Sequence, residues 1–251
     1  MKPTIQRVTP DEILPFRVRM REEVNAQIVH DQIHRRPGWT VTYRVQLGDV
    51  AVGFAEVAIA GPWTGKPTVF EFYLVPAART RTFELFEAFL AARGVKLVEA
   101  QTHCGQLGDL AQLYGHGVIS ERIVFRDGLT TTLACPGASL RRLTPLDEIH
   151  AARERRQGGG EWQLELDGIA VGKGGLLFHY NPPYGDVWME VAEPHRRRGL
   201  GAWLVQELKR ECHELGAVPA ARCSPDNVAS QRTLQKAGFV PRGHVLIGSL
   251  G

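Results

Sequence analysis

The residues best placed to do chemistry form one short run, Arg196-Arg197-Arg198-Gly199-Leu200-Gly201. It lies between an apolar stretch ending near Val191 and a helical pattern that opens at Gly201. The first turn of a helix leaves backbone N–H groups without partners and carries the positive end of the helix dipole, so an anion placed there gains from both. Gly199 and Gly201 would let its oxygens approach the backbone, and the three arginines add charge. Read alone, the run fits a solvated basic turn as well as it fits a cradle for a polyanion. A dinucleotide cradle would need a third glycine where Leu204 stands, and a nucleotide P-loop would need Gly-Lys-Ser/Thr after it; neither is present.

A second segment downstream, "SPDNVASQRTLQKAGF" from Ser224 to Phe239, breaks the tie. With "VAEP" at Val191 to Pro194 and the Arg-Gly run, it resembles the GNAT N-acetyltransferase superfamily. The signature there is Arg/Gln-x-x-Gly-x-Gly/Ala at a strand-to-helix turn, followed by Asn-x-x-Ser/Ala…Lys-x-Gly-Phe. The resemblance covers residues 186–240 closely and, through element order, extends back to Leu140. It implies acetyl-CoA (coenzyme A) as cofactor, held by Val191, Arg196, Arg197, Arg198, Gly199, Leu200, Gly201, Ala202, Asn227 and Ser230. It also implies an acetyl-CoA-dependent acyltransferase moving an acetyl group directly to a primary amine of a small molecule or peptide. A non-catalytic acetyl-CoA-binding protein of the same fold is the alternative.

Such a transfer needs a donor for the oxyanion, a base for the amine and an acid for the thiolate. The resemblance places the donor at the backbone N–H near Val191. Glu190, beside Val191, is the candidate base, expected to be partly buried with a raised pKa; its other reading is an ion pair with Arg222. Asp186 and Glu193 are weaker candidates because both flank loops. Many members carry a tyrosine acid seven residues after the motif Asn, but Leu234 stands there. Ser230, on the same helix face as Asn227, is left as a donor to the sulfur or as a helix-stabilising hydroxyl. Asn227 suits a helix N-cap that also touches the cofactor. Tyr180 and Tyr184, in "HYNPPYGD", are candidates for the acceptor pocket, and Arg222 for a carboxylate or phosphate on the acceptor.

The elements that must position these residues occur twice. "TVTYRVQLGDVAVGFAEVAIAG" from Thr40 reads as a hairpin, "TVFEFYLV" as a strand, "TRTFELFEAFLAARG" as a helix stopped at Gly94, "VKLVEAQ" as a strand, "LGDLAQLYGHG" as a helix and "VISERIVF" as a strand. After the Pro/Gly-containing stretch around Cys135 to Pro145, a helix over "PLDEIHAARERRQ" leads into a hairpin turned at Asp167-Gly168. "DVWMEV", "GAWLVQELKRECHELG", "VPAARCS", "NVASQRTLQKAG" and "FVPRGHVLIGSL" then repeat the earlier order. The expected fold is α/β (α+β): two tandem GNAT-like domains, residues 1–137 and 138–251, each a mixed, mostly antiparallel twisted sheet flanked by helices. Aligning Pro76 with Pro194 puts Arg81 at the place of Gly199 and Phe83 at that of Gly201, so the first domain should keep the fold without a cofactor site. Residues 138–251 are short of one closing strand, and the first half is expected to cover that edge as an intramolecular pseudo-dimer.

Composition sets the outer limits. A chain of 251 residues with 43% hydrophobic and 23% charged residues suits a globular protein of one or two domains. A net charge of +3 argues against wholesale nucleic-acid binding, and no apolar run is long enough for a membrane span. Cys104, Cys135, Cys212 and Cys223 lack Cys-x-x-Cys spacing, which argues against a zinc site and for a reducing, cytoplasmic setting. His30, His34, His103 and His116 show no ligand spacing and read as surface or core residues. The expected partner is an amine substrate, with no metal, nucleic acid or membrane, in a monomeric pseudo-dimer or a homodimer.

Overall fold

The computed structural model describes residues 1–25, 27, 31–34 and 36–251, with 31 and 32 described by backbone alone. His30 lies outside the described residues. Elements in chain order are β1 (Pro3–Val8), α1 (Leu14–Val24), α2 (Asp31–His34), β2 (Thr40–Leu47), β3 (Val50–Ala58), β4 (Thr68–Leu74), α3 (Thr82–Arg93), β5 (Leu97–Gln101), α4 (Gly105–Tyr114) and β6 (Gly115–Asp127). The order then resumes with β7 (Ala138–Arg142), α5 (Leu146–Arg155), β8 (Gly159–Leu166), β9 (Ile169–Leu177), β10 (Tyr184–Val191), α6 (Leu200–Glu214), β11 (Val218–Cys223), α7 (Val228–Lys236) and β12 (Phe239–Leu250).

The expected repeat is present and longer than the residue patterns suggested. Ala138–Arg142, read from its neighbouring Pro and Gly as a connector, is strand β7 and pairs antiparallel with β8. Its counterpart β1 pairs antiparallel with β2. Both lie at sheet edges, where five or six residues of mixed polarity suffice because only one side must be paired. The Asp167-Gly168 hairpin forms as expected, with both residues at positive φ, 50° and 80°.

The chain divides into two compact units: residues 1–26, 33–121 and 244–251 in the first, 27–32 and 122–243 in the second. Within the first, the strand order is β1-β2-β3-β4-β5-β12; within the second, β7-β8-β9-β10-β11-β6. Each sheet is antiparallel except for one parallel pair, β4 with β5 and β10 with β11. The units differ from the sequence halves because the closing strands are exchanged. Val245–Ser249 of β12 pair with β5, and Ile123–Arg126 of β6 pair with β11. The strand that the second half lacks is therefore supplied by the first half, and the reverse also holds.

The first unit buries an apolar face under α3 and α4, where Phe72, Leu85, Phe86 and Phe89 meet. Its other face buries charged side chains alongside Phe54 and Tyr73. Glu56 of β3 and Glu71 of β4 are directly opposite each other in the ladder, an arrangement that like charges disfavour. His34 bridges them, Nδ1 lying 3.4 Å from Glu56 Oε1 and Nε2 3.1 Å from Glu71 Oε2. Thr42 Oγ1 donates to Glu56 at 2.8 Å, and Arg17 Nε is 3.6 Å from Glu71. Burial alone would lower the imidazole pKa, but the two carboxylates outweigh it and the pKa is raised. His34 is thus a core residue, and its charge joins α2 to β3 and β4.

The second unit has one apolar core that locates α6. Leu200, Leu204, Val205, Leu208 and Cys212 pack against Val187 and Val191 of β10 and Phe125 of β6. Buried Lys209 of α6 donates from Nζ to Leu129 O at 2.7 Å and to Ala237 O at 2.9 Å, with Asp127 Oδ1 at 2.6 Å. One ammonium thereby holds the carboxyl end of α7 and the end of β6 to the middle of α6, a favourable place for a cation. No helix among the described residues is long and apolar enough to cross a membrane.

Three outcomes follow from these contacts. A raised His34 pKa contributes stability in full below its unfolded value, and that stability is lost as pH rises through the folded value. Urea unfolding should therefore show a less stable protein at about pH 9 than at about pH 6. His34→Gln should cost roughly 3–5 kcal/mol at the lower pH, as breaking a buried charge cluster does, and should flatten that pH dependence. A fragment of residues 138–251, which lacks β6, should show no cooperative thermal transition by circular dichroism.

Candidate active site

The site is opened by a loss of pairing. β10 and β11 run parallel, yet only Tyr184–Asp186 of β10 are matched with Val218–Ala220 of β11. Beyond Asp186 the two strands diverge, β10 staying on β9 as far as Val191↔Gly172 and β11 on β6 as far as Cys223↔Ile123. Ala192 N donates to Val171 O at 2.9 Å, so in the alternation of an antiparallel ladder the N–H of Val191 points the other way, toward the side that β11 has left. Its carbonyl accepts from Arg196 Nε at 2.9 Å. This hydrogen bond ties the loop Ala192–Gly199 back onto the strand end.

That loop contains two left-handed residues, Arg197 at φ 63° and Gly199 at φ 84°, immediately before α6. Alternating hand turns successive backbone N–H groups toward a common side, an anion-binding concavity, and the unpaired first-turn N–H groups of α6 continue it. Among the described residues, no acidic side chain stands in that first turn and none caps it. A Cβ built on Gly199 would meet only Lys236 Nζ, at 3.9 Å. Lys236, at the end of α7, is thus a fourth cation at the cradle besides Arg196, Arg197 and Arg198. Sequence reasoning missed it as a site residue, although the Lys-x-Gly-Phe pattern carries it. Gly201 serves packing instead. Its Cβ would lie 3.3 Å from Thr233 Cγ2 and 3.6 Å from Met189 Cε, so its bareness lets α6 pack on α7 and β10. Leu200 and Ala202 turn their side chains into the core. A pyrophosphate fits this arrangement: backbone donors, a left-handed glycine facing open space, and four cations.

The matching turn in the first unit is built otherwise. Pro76–Arg81 form a 3-10 turn that runs straight into α3, and no residue from 75 to 83, all of them described, is left-handed. Glu84 occupies the first turn of α3 and pairs with Arg81, which also donates to Met1 O at 2.8 Å. The positive end of that helix already faces a carboxylate of the chain itself. Arg81 and Phe83 stand where the second unit has glycines, and the N–H concavity does not form.

The face of β10 opposite α6 carries Asp186, Trp188 and Glu190. Asp186, expected at a solvated loop edge, is instead in the strand and buried; burial pushes its carboxyl up to about 6, with Arg222 opposing. Arg222 Nε lies 3.4 Å from Asp186 Oδ2. The anticipated Arg222–Glu190 pair is therefore replaced by Arg222–Asp186, because Asp186 is paired directly with Ala220, two residues before Arg222 and on the same face. The guanidinium also lies over the Tyr180 ring, 4.8 Å from its centroid. Glu190 is exposed rather than partly buried. Tyr184 is half-buried at the start of β10, and burial raises its pKa.

On α7, Asn227 Oδ1 accepts from Ser230 N at 3.0 Å, the expected N-cap. Burial raises the thiol pKa of Cys223, with the nearby Ser230 hydroxyl opposing. Leu234, in the place of the usual tyrosine, is core. Among the described residues no group of His, Cys, Asp and Glu has metal-binding geometry.

Residues 130–239 match the sequence model of the Acetyltransferase (GNAT) family. No curated protein matches the chain. Among solved structures, an acetyltransferase from the GNAT family of Colwellia psychrerythraea superposes with a TM-score of 0.74 at 14% identity, over 99% of this chain and 100% of that one. A tandem GNAT protein from the clavulanic acid biosynthesis pathway, solved without AcCoA, gives 0.63 at 14% identity over 100% and 99%. A GCN5-related N-acetyltransferase from Sphaerobacter thermophilus gives 0.61 at 16% identity over 98% and 95%. At these identities the likeness establishes the fold: a tandem arrangement spanning the whole chain.

Gly199→Arg, which copies Arg81 of the first unit, should abolish acetyl-CoA binding in calorimetry and leave the melting temperature within a few degrees. Gly201→Ala should instead lower the melting temperature, because its methyl crowds Thr233. Retained binding in the Gly199 variant would remove the cradle from the site.

Proposed function

Because residues 130–239 match the acetyltransferase (GNAT) family, we propose that the protein is an acetyl-CoA-dependent N-acetyltransferase acting on a primary amine of a small molecule or peptide. The observation that carries this reading is the divergence of β10 and β11 beside an uncapped, left-handed Gly199 turn. Arg196, Arg197, Arg198, Gly199 and Lys236 bind the pyrophosphate, with the N–H groups of Leu200, Gly201 and Ala202. Asn227 and Ser230, on the first turn of α7, line the pantetheine arm. When bound, acetyl-CoA supplies the acetyl carbon that gains an N–C bond to the amine as its C–S bond breaks.

The N–H of Val191 donates to the acetyl oxygen as negative charge develops there, a preorganised donor on a strand anchored along its other edge. Glu190, adjacent to Val191 and on the open face, takes the amine proton at a carboxylate oxygen. Ser230 Oγ donates toward the departing sulfur, in the role for which Leu234 has no group. The four cysteines are unbridged, which supports a reducing compartment such as the cytoplasm. The second unit does the binding; the first, with Glu84 in its turn, does not.

Thiol release from acetyl-CoA across a panel of amines tests the reading. Glu190→Gln should lower kcat by about 10²-fold, the lower part of the range for a positioned base, with acetyl-CoA affinity unchanged. Tight acetyl-CoA binding with no turnover on any amine would instead make the protein a binder.

A further inference from the structure

The register of the second sheet identifies what shares a face with the reaction centre. Arg222 is matched with Val124 of β6, and Ala220 with Arg126. Residues matched across an antiparallel ladder point to the same side, and side chains alternate along each strand. Arg122, Val124 and Arg126 of β6 therefore lie with Ala220 and Arg222 of β11 and with Asp186, Trp188 and Glu190 of β10. The complementary set, Ile123, Phe125, Ala221, Cys223, Val187 and Val191, packs in the core on the other side. The division is clean.

The charged centre of this face is Arg222. Asp186 Oδ2 lies 3.4 Å from its Nε, and Tyr180 supports the guanidinium plane. The guanidinium is held on two sides, while its side chain remains 34% exposed. A fixed fork with N–H donors to spare is suited to a planar carboxylate. Asp186 already offsets part of the Arg222 charge, so at Arg222 itself a singly charged carboxylate fits, with Arg122 and Arg126 flanking it along β6 on the same face.

Distance along the strand then sets the length of the acceptor. The Arg222 guanidinium lies beside Asp186, 3.4 Å from Oδ2. The amine must reach the N–H of Val191, five residues further along β10. At about 3.3 Å per residue that is roughly 16 Å along the strand, less the reach of the side chains at either end. The α-amine of an amino acid, separated from its carboxylate by one carbon, cannot span it. We propose that the acceptor is an ω-amino carboxylate, its carboxylate on Arg222 and its amine, several methylenes away, at Val191 and Glu190. This deepens the acetyltransferase reading and rests on it.

The test uses the full chain with acetyl-CoA and three acceptors: 6-aminohexanoate, hexylamine and glycine. Expected is a kcat/KM for 6-aminohexanoate about 10- to 100-fold above hexylamine, the range of a charge-assisted hydrogen bond, with glycine below both. The double variant Asp186→Asn, Arg222→Leu, which leaves no unpaired charge behind, should bring the 6-aminohexanoate-to-hexylamine ratio near one, mainly through KM. Arg222→Lys should keep part of it. Equal rates for 6-aminohexanoate and hexylamine, or a ratio untouched by the double variant, would overturn the proposal while leaving an acetyltransferase. Should no amine release thiol, the catalytic reading fails. Calorimetry with the CoA-loaded protein then decides the anion site: preferential binding of 6-aminohexanoate over hexylamine, lost in the double variant, supports it, and equal binding overturns it.

Discussion

Everything at the candidate site depends on β10 and β11 giving up their mutual hydrogen bonds after Asp186. A parallel pair that separates leaves backbone donors facing outward, and these are expensive to bury without a partner. The chain tolerates the gap because each strand is anchored on its far side, β10 to β9 and β11 to β6. The strain-free way to open a sheet is to end one ladder while its neighbours continue. The N–H of Val191 is then a donor held in place by the rest of its strand, directed at a space that the fold does not fill.

The cradle beside it is fixed from three directions. Arg196 binds the carbonyl of Val191, Gly201 lets α7 close on the start of α6, and Lys209 pulls the carboxyl end of α7 and the loop after β6 onto the middle of α6. A change at Lys209 would reach the N–H groups of the first turn without touching a bound anion. The arginines on the rim are exposed and screened by solvent, so their part is charge rather than shape.

The first unit has the same order of elements and has used its equivalent positions for stability. Its helix start is closed by Glu84 and Arg81, and the other face of its sheet is closed by His34 between two glutamates. Both devices place a cation where carboxylates would otherwise repel or lie unpaired. The two repeats differ in the charge at the turn: surplus positive in the second unit, internally neutralised in the first.

Much of this was legible in the residues. The alternation of Thr40–Ala58, the Asp167-Gly168 turn, the glycine after Arg93 and the Asn227 cap are local signals, and each element formed where its own residues favour it. The Arg-Gly run and the Lys-x-Gly-Phe segment marked the cradle because that site is made of backbone N–H groups in one short loop. What the residues did not reveal is non-local. β7 lacked apolar alternation because an edge strand needs little of it. Asp186 and Glu190 exchanged their expected surroundings because burial depends on which strands flank β10. The missing closing strand of residues 138–251 showed that the first half must cover an edge, but not that β6 and β12 are exchanged to do so, since a strand's pattern specifies which face is buried and not which neighbour it pairs with; only the tertiary structure decides that.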